Sequence, residues 1–121
     1  MDRILIVDDE FLIRYTLEEG LKDRGYDAYS AATVEEGLEF VRKYHPGVLL
    51  LDNLLENSVG MDEIVNFKNA DEELQVIMMT AYGSVSQAVE ATKRGAYDYI
   101  LKPFDVDEID MLIKRCLEQK R

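Results

Sequence analysis

Five short apolar runs alternate along the chain with five segments in which apolar residues recur at helical spacing. The runs are Arg3 to Val7, Tyr26 to Ala31, Val48 to Leu51, Leu74 to Met79 and Tyr97 to Leu101. The first, third and fourth are nearly continuous in Ile, Leu, Val or Met, the pattern of strands covered on both faces. The fifth is more mixed, which suits a sheet edge. Between the runs, apolar residues at i, i+3, i+4 and i+7 predict one buried face per helix. These faces carry Val34, Gly37, Leu38 and Val41; Met61, Ile64 and Val65; Val85, Ala88 and Val89; and Ile109, Leu112, Ile113, Cys116 and Leu117. Capping patterns at Thr33-x-x-Glu36, Ser84-x-x-Gln87 and Asp105-x-x-Glu108 mark helix starts, and Gly25 and Gly95 stand where helices should stop. The last helix is expected to run to Arg121. Strand and helix in strict alternation predict parallel strands joined by crossover helices.

The 121 residues, 47% of them hydrophobic, suffice for one core, so residues 1–121 are expected to form a single domain. No apolar run approaches the ~20 residues needed to span a bilayer, and Met1-Asp2-Arg3 before a short strand lacks the layout of a signal peptide. The expectation is a cytoplasmic protein with no membrane partner. One cysteine, Cys116, sits on an apolar stripe and reads as a core residue. The 25 acidic and 14 basic residues give a net charge of −11, which argues against direct nucleic-acid binding by this chain.

That acidity acquires chemistry at Leu49 to Leu55, "LLLDNLL", where Asp52 interrupts an apolar run although an isolated buried charge costs several kcal/mol. In a doubly wound parallel sheet, ligands bind beyond the carboxyl ends of the strands, where the strand order reverses. The expected fold is a flavodoxin-like five-stranded parallel sheet of order 2-1-3-4-5 with five helices. The first and third strands then meet at the reversal, bringing Asp8, Asp9 and Asp52 into one pocket, with Thr80 and Ala81 after the fourth strand and Lys102 and Pro103 after the fifth. Three carboxylates about 5 Å apart repel by roughly 3 kcal/mol per pair at an effective dielectric of about 20. Lys102 supplies one positive charge, and a divalent cation fills the deficit. Oxygen-only ligands favour a hard ion such as Mg²⁺, which keeps positions open for waters and a substrate phosphate. A carboxylate can itself act as a nucleophile and form an acyl phosphate. Asp52, at the centre of the sheet, is the candidate. Taken singly, each residue has a plainer role as a turn, a cap or a solvated side chain; their joint placement at four strand ends favours a site.

The stretches "ILIVDDE", "VLLLD", "IMMTAYGS" and "GAYDYILKPFD" resemble the receiver domains of bacterial two-component response regulators over essentially the whole chain. The resemblance implies that Asp52 is the phosphoacceptor and that Asp9 and Asp52 bind Mg²⁺ directly. Asp8 would hold the ion mainly through water, and the Leu54 backbone carbonyl would complete the protein ligands. It implies that Thr80 and Lys102 contact the phosphoryl oxygens, that Ala81 donates its backbone N–H, and that the Lys102–Pro103 bond is cis. Tyr99 falls at the switch aromatic. The implied partners are a histidine kinase or phosphotransfer protein as donor and an effector domain or protein downstream, with dimerisation possible through an output face of fourth helix, fifth strand and fifth helix. No separate substrate turnover is expected. The stretch from Thr80 to Asp105 is similar to receivers of nitrogen-regulatory-type transcription activators and also to single-domain sporulation relays.

One loop departs from the family pattern. Receivers usually carry a proline four residues after the acceptor; here Glu56-Asn57-Ser58-Val59-Gly60 follows Leu55, with Gly60 at its usual distance from Asp52. Loss of the proline is expected to loosen the loop, and Glu56 to add charge beside the pocket. Leu54 has no side chain to position a hydrolytic water, which implies a moderately long-lived phosphate, with Tyr82 also near the entrance. His45, beside Pro46-Gly47, reads as a surface loop residue rather than a phosphocarrier. Three rivals are an electron carrier of the same fold, a haloacid-dehalogenase-type phosphohydrolase and a receiver that serves only for docking. The first lacks a Ser/Thr/Gly-rich loop, since "DDEFLIR" stands in its place, and the second wants an acid where Leu54 stands.

Overall fold

The computed structural model describes residues 2–55, 57–81 and 83–119. Five strands, β1 (Arg3–Val7), β2 (Asp27–Ala31), β3 (Val48–Asp52), β4 (Gln75–Thr80) and β5 (Asp98–Leu101), alternate with five helices. These are α1 (Phe11–Asp23), α2 (Val34–Tyr44), α3 (Gly60–Ala70), α4 (Val85–Lys93) and α5 (Val106–Gln119). The strands are all parallel, in the order β2-β1-β3-β4-β5, as expected. The continuous apolar runs of β1, β3 and β4 are the three inner strands, and mixed β5 lies at an edge. Asp52 and Thr80 are the last residues of their strands rather than the first beyond them.

Side-chain alternation divides the core into two layers. Ile4, Ile6, Leu50 and Ile77 pack with Leu17 and Leu21 of α1 and Ile109, Ile113 and Cys116 of α5. Leu5, Val7, Leu51 and Met78 point the other way, against Val41 of α2, Ile64 and Phe67 of α3 and Ala91 of α4. The capping residues act as read: Thr33 Oγ1 accepts from the Glu36 N–H and Ser84 Oγ from the Gln87 N–H, both at 3.2 Å. Asp105 and Glu108 cap each other, through Glu108 N–H to Asp105 Oδ1 at 2.9 Å and Asp105 N–H to Glu108 Oε1 at 3.3 Å. Gly25 and Gly95 take positive φ, 90° and 111°, at the helix ends. The end of the last helix at Arg121 lies outside the described residues.

Two helix faces differ from expectation. Val65 is 53% exposed, and Val85 and Val89 are 81% and 48% exposed. A helix turns about 100° per residue, so the buried pair Ile64 and Phe67 sets a core direction in α3 that Val65 faces away from. In α4 the buried residue is Ala91, and the side carrying Val85 and Val89 is rotated roughly 100° from it and Ala88.

Candidate functional site

Strand register builds the site before any side chain is considered. Val7 pairs with Leu51, so the residues that follow, Asp8 and Asp52, emerge side by side. Thr80 pairs with Leu101, which brings Lys102 to the neighbouring position. Asp8 is wholly buried, and Asp52 and Thr80 are 4% and 8% exposed. Carboxylate oxygens of Asp8, Asp9 and Asp52 lie within 4.8 Å of one another. Lys102 Nζ reaches Asp52 Oδ1 at 3.0 Å and Asp8 Oδ2 at 3.2 Å. The Lys102–Pro103 peptide is cis, and the Lys102 N–H donates to the Thr80 carbonyl at 2.7 Å. Asp8, Asp9, Asp52, Thr80 and Lys102 therefore come together, with Ala81 and Pro103 beside Lys102 on the wall of a neighbouring groove.

The electrostatics are those of an under-neutralised cluster. Burial, and next the Asp8 carboxylate, push the Asp52 carboxyl above its ordinary value, with Lys102 only partly opposing them. Burial alone would depress the Lys102 ammonium, yet its hydrogen bond to Asp52 and the charges of Asp8 and Asp52 raise it. One lysine among three acids leaves a negative pocket of hard oxygen donors, which fits a divalent cation such as Mg²⁺.

The loop between β3 and α3 is closed without the proline. Leu54 and Val59 form an isolated antiparallel bridge, Leu55 N–H donates to Ser58 O at 3.1 Å, and Gly60 N–H donates to Asn53 O at 2.7 Å. Asn53 Oδ1 also accepts from the Met61 N–H at 3.1 Å. These bonds tie the two described ends of the loop together. Gly60 is required by close approach, because a Cβ there would fall 2.1 Å from the Asp52 carbonyl oxygen. Leu54 is 56% exposed. Glu56 and Tyr82, the two residues proposed to modulate the loop and the phosphate lifetime, lie outside the described residues.

Tyr99 is half-buried and shares with Thr80, Asn53, Met61, Gln87 and Ala91 the wall of a cavity of about 10 Å³. Two contributors were not found from sequence. Asn53 follows the acceptor position without any spacing signal, and its role as a cap appears only once the loop folds. Arg14, on α1, donates from Nη1 to the Asp8 carbonyl at 2.7 Å. His45 lies at the C-terminus of α2, mostly exposed, with Nδ1 3.1 Å from Asp71 Oδ2.

A doubly wound parallel sheet carrying a buried aspartate, flanking acids and a lysine at its carboxyl rim defines a class of phosphoryl-handling signalling domains. Residues 4–114 match the response regulator receiver domain, and the chain belongs to that family. It is 38% identical over 119 residues to sporulation initiation phosphotransferase F of Bacillus subtilis (strain 168), covering 98% of this chain and 96% of that protein. It is 36% identical over 118 residues to the regulatory protein AtoC of Escherichia coli (strain K12), covering 98% of this chain but only 26% of AtoC. The solution structure of the beryllofluoride-activated NtrC4 receiver domain dimer superposes with a TM-score of 0.93 at 34% identity, each chain covered in full. Membership makes this a phosphoryl-accepting signalling domain of the two-component type, a family that binds Mg²⁺ at an acidic pocket. No helix among the described residues is long and apolar enough to cross a membrane.

Proposed function

We propose that residues 1–121 form one receiver unit that takes a phosphoryl group onto Asp52 from a phosphohistidine on a histidine kinase or phosphotransfer protein. The carrying observation is the Asp8, Asp9, Asp52 cluster with Lys102 Nζ 3.0 Å from Asp52 Oδ1. An Asp52 carboxylate oxygen attacks phosphorus, the new O–P bond forms as the N–P bond breaks, and the donor imidazole leaves with the electron pair and takes up a proton. Asp8, Asp9, Asp52 and the Leu54 carbonyl would hold Mg²⁺, which when bound offsets the acid charge and steadies a phosphoryl oxygen. Lys102, the Thr80 hydroxyl and the Ala81 N–H receive the other oxygens and stabilise the charge spread over them in transfer. Self-dephosphorylation resets the domain, and no separate substrate turnover is assigned.

An apolar groove of about 640 Å³, lined by Leu12, Ile13, Thr16, Pro103, Phe104 and Val106, opens beside Lys102 and offers apolar surface on which a donor protein can dock. Phosphorylation adds charge at Asp52, draws Thr80 inward and frees Tyr99 to turn. The cavity of about 10 Å³ is too small for the ring, so its entry goes with movement of the cavity's walls, among them Thr80 and, on α4, Gln87 and Ala91. Helix α4 is the element suited to shift, since Ala91 is its one buried residue. Val85 and Val89 of α4, Leu101 of β5 and Met111 of α5 are exposed apolar side chains on the proposed output face. They supply contacts for a downstream effector in transcription control, a relay partner or a second copy. A typical coupling of about 1–3 kcal/mol changes such an affinity severalfold to a hundredfold.

The test is labelling by a small acyl phosphate in the presence of Mg²⁺, read by intact mass. The protein should gain one phosphoryl group and the Asp52→Asn variant none. Full labelling of Asp52→Asn would remove Asp52 from the role.

A further inference from the structure

Arg14 has no part in the transfer just described, yet it is bonded to the acid pair. It lies in the first turn of α1, half-buried, with its own N–H donating to the Glu10 carbonyl at 3.1 Å, so its backbone is fixed by the helix. The guanidinium Cζ sits 5.8 Å from the centroid of the Phe11 ring, a cation–π distance that steadies the side chain. From there Nη1 donates to the Asp8 carbonyl oxygen at 2.7 Å. That oxygen belongs to the peptide unit joining Asp8 to Asp9. The unit is planar, so anchoring its oxygen sets ψ of Asp8 and φ of Asp9 together, and with them the direction in which Asp9 leaves the chain.

Every other polar group of Asp8 is already tethered. Its N–H donates to Ala31 O at 3.2 Å, Oδ1 accepts from the Glu10 N–H at 2.9 Å, and Oδ2 lies 3.2 Å from Lys102 Nζ. The Asp8–Asp9 peptide carbonyl is the remaining free hinge of the pair, and Arg14 holds it. We propose that Arg14 is a positioning residue for the divalent-cation site, presetting Asp9 against Asp8 and Asp52 by clamping the peptide between the two acids. Outer groups that orient metal ligands typically contribute about 10–100-fold in affinity. A single bond to the main chain belongs at the lower end of that range.

The inference rests on the cation reading of the pocket, and the experiment separates the two. Mg²⁺ is titrated calorimetrically into wild-type protein, Arg14→Ala and Arg14→Lys, at low salt and at about 1 M KCl, where screening leaves only ~3 Å of reach. Thermal midpoints in EDTA are recorded alongside. Arg14→Ala should bind Mg²⁺ about tenfold more weakly than wild type at both salt concentrations. Its EDTA midpoint should move little. Arg14→Lys, which keeps the charge but not the planar fork, should recover only part of the loss. Equal affinity of Arg14→Ala and wild type would overturn the proposal, as would a deficit abolished by salt or fully restored by lysine, since either means charge without positioning. Should Arg14→Ala not fold, Arg14→Lys decides alone, a severalfold weaker affinity supporting the clamp and an unchanged one overturning it. Wild-type protein that takes up no Mg²⁺ would instead sink the cation reading itself.

Discussion

Two buried aspartates, Asp52 and Asp110, meet opposite electrostatic surroundings in the same small fold. Asp52 shares its pocket with two other acids and one lysine, and burial and Asp8 raise its carboxyl above the ordinary value. Asp110, on α5, is also buried, at 9% exposure against 4% for Asp52. Its Oδ1 accepts from the Tyr26 hydroxyl at 2.6 Å, and its Oδ2 lies 3.2 Å from Lys114 Nζ and 3.7 Å from Arg24 Nε. Burial would raise that carboxyl too, but Tyr26, Lys114 and Arg24 outweigh it and hold it below the ordinary value. The shared hydrogen bond raises the Tyr26 phenol in turn, behind burial as the larger cause. The difference separates a carboxylate that holds the fold together, pinning α5 to the α1–β2 turn, from one kept short of partners so that something else can supply them.

The largest expected effect of breaking this contrast is on the structural side. Asp110→Ala leaves the Tyr26 hydroxyl without its buried acceptor and Lys114 without its ion pair, while Arg24 keeps Asp107, and should cost about 2 kcal/mol. The thermal midpoint should fall by roughly 6–10 °C. Labelling at Asp52 should persist below that midpoint, since Asp110 lies on α5 away from the strand ends. Loss of labelling with an unchanged midpoint would reverse the roles assigned to the two acids.

Much of this was legible in the chain because strand burial and strand endings leave local traces. The unbroken runs of β1, β3 and β4 announce inner strands, and an acid or lysine directly after such a run marks the sheet's carboxyl rim. Asp110 was hidden for a related reason. It stands inside the apolar stripe Ile109, Leu112, Ile113; Lys114 at i+4 is a local signal of an ordinary surface pair, but the buried partner Tyr26 and Arg24 are about eighty residues away and leave no local trace. The α4 face was misjudged because periodicity reports that a stripe exists without saying whether it meets the core or a partner. Arg14 acts through a backbone oxygen, which has no identity in sequence.

A smaller effect of opposite sign is expected at the functional acid. Asp52→Asn removes a buried like charge while keeping an acceptor for Lys102, which also retains Asp8 at 3.2 Å. In EDTA the variant should be more stable than wild type by about 1 kcal/mol, a rise of roughly 2–5 °C. A lower midpoint would mean that Lys102 neutralises the cluster fully, and the contrast with Asp110 would disappear.

The finest discrimination is in pH, measured by urea unfolding in EDTA from neutrality downward. A carboxyl whose folded value is raised stabilises the fold below its unfolded value and loses that contribution as pH rises through the folded one. Asp52 is of this kind, so the advantage of Asp52→Asn should be complete at neutral pH and fade on acidification between the raised folded value and the ordinary 3.8. A carboxyl whose folded value is lowered contributes above its unfolded value and loses that contribution as pH falls through the folded one. Asp110 is of this kind, so the penalty of Asp110→Asn should survive to the ordinary 3.8 and fade only below it. Both differences vanish in acid, where each protonated aspartate resembles the asparagine that replaces it, but they vanish in sequence, Asp52 first. If both faded over the same interval, or Asp110 first, the two sites would share one electrostatic character, and a raised carboxyl could no longer mark the strand-end cluster as the place built to receive charge from outside.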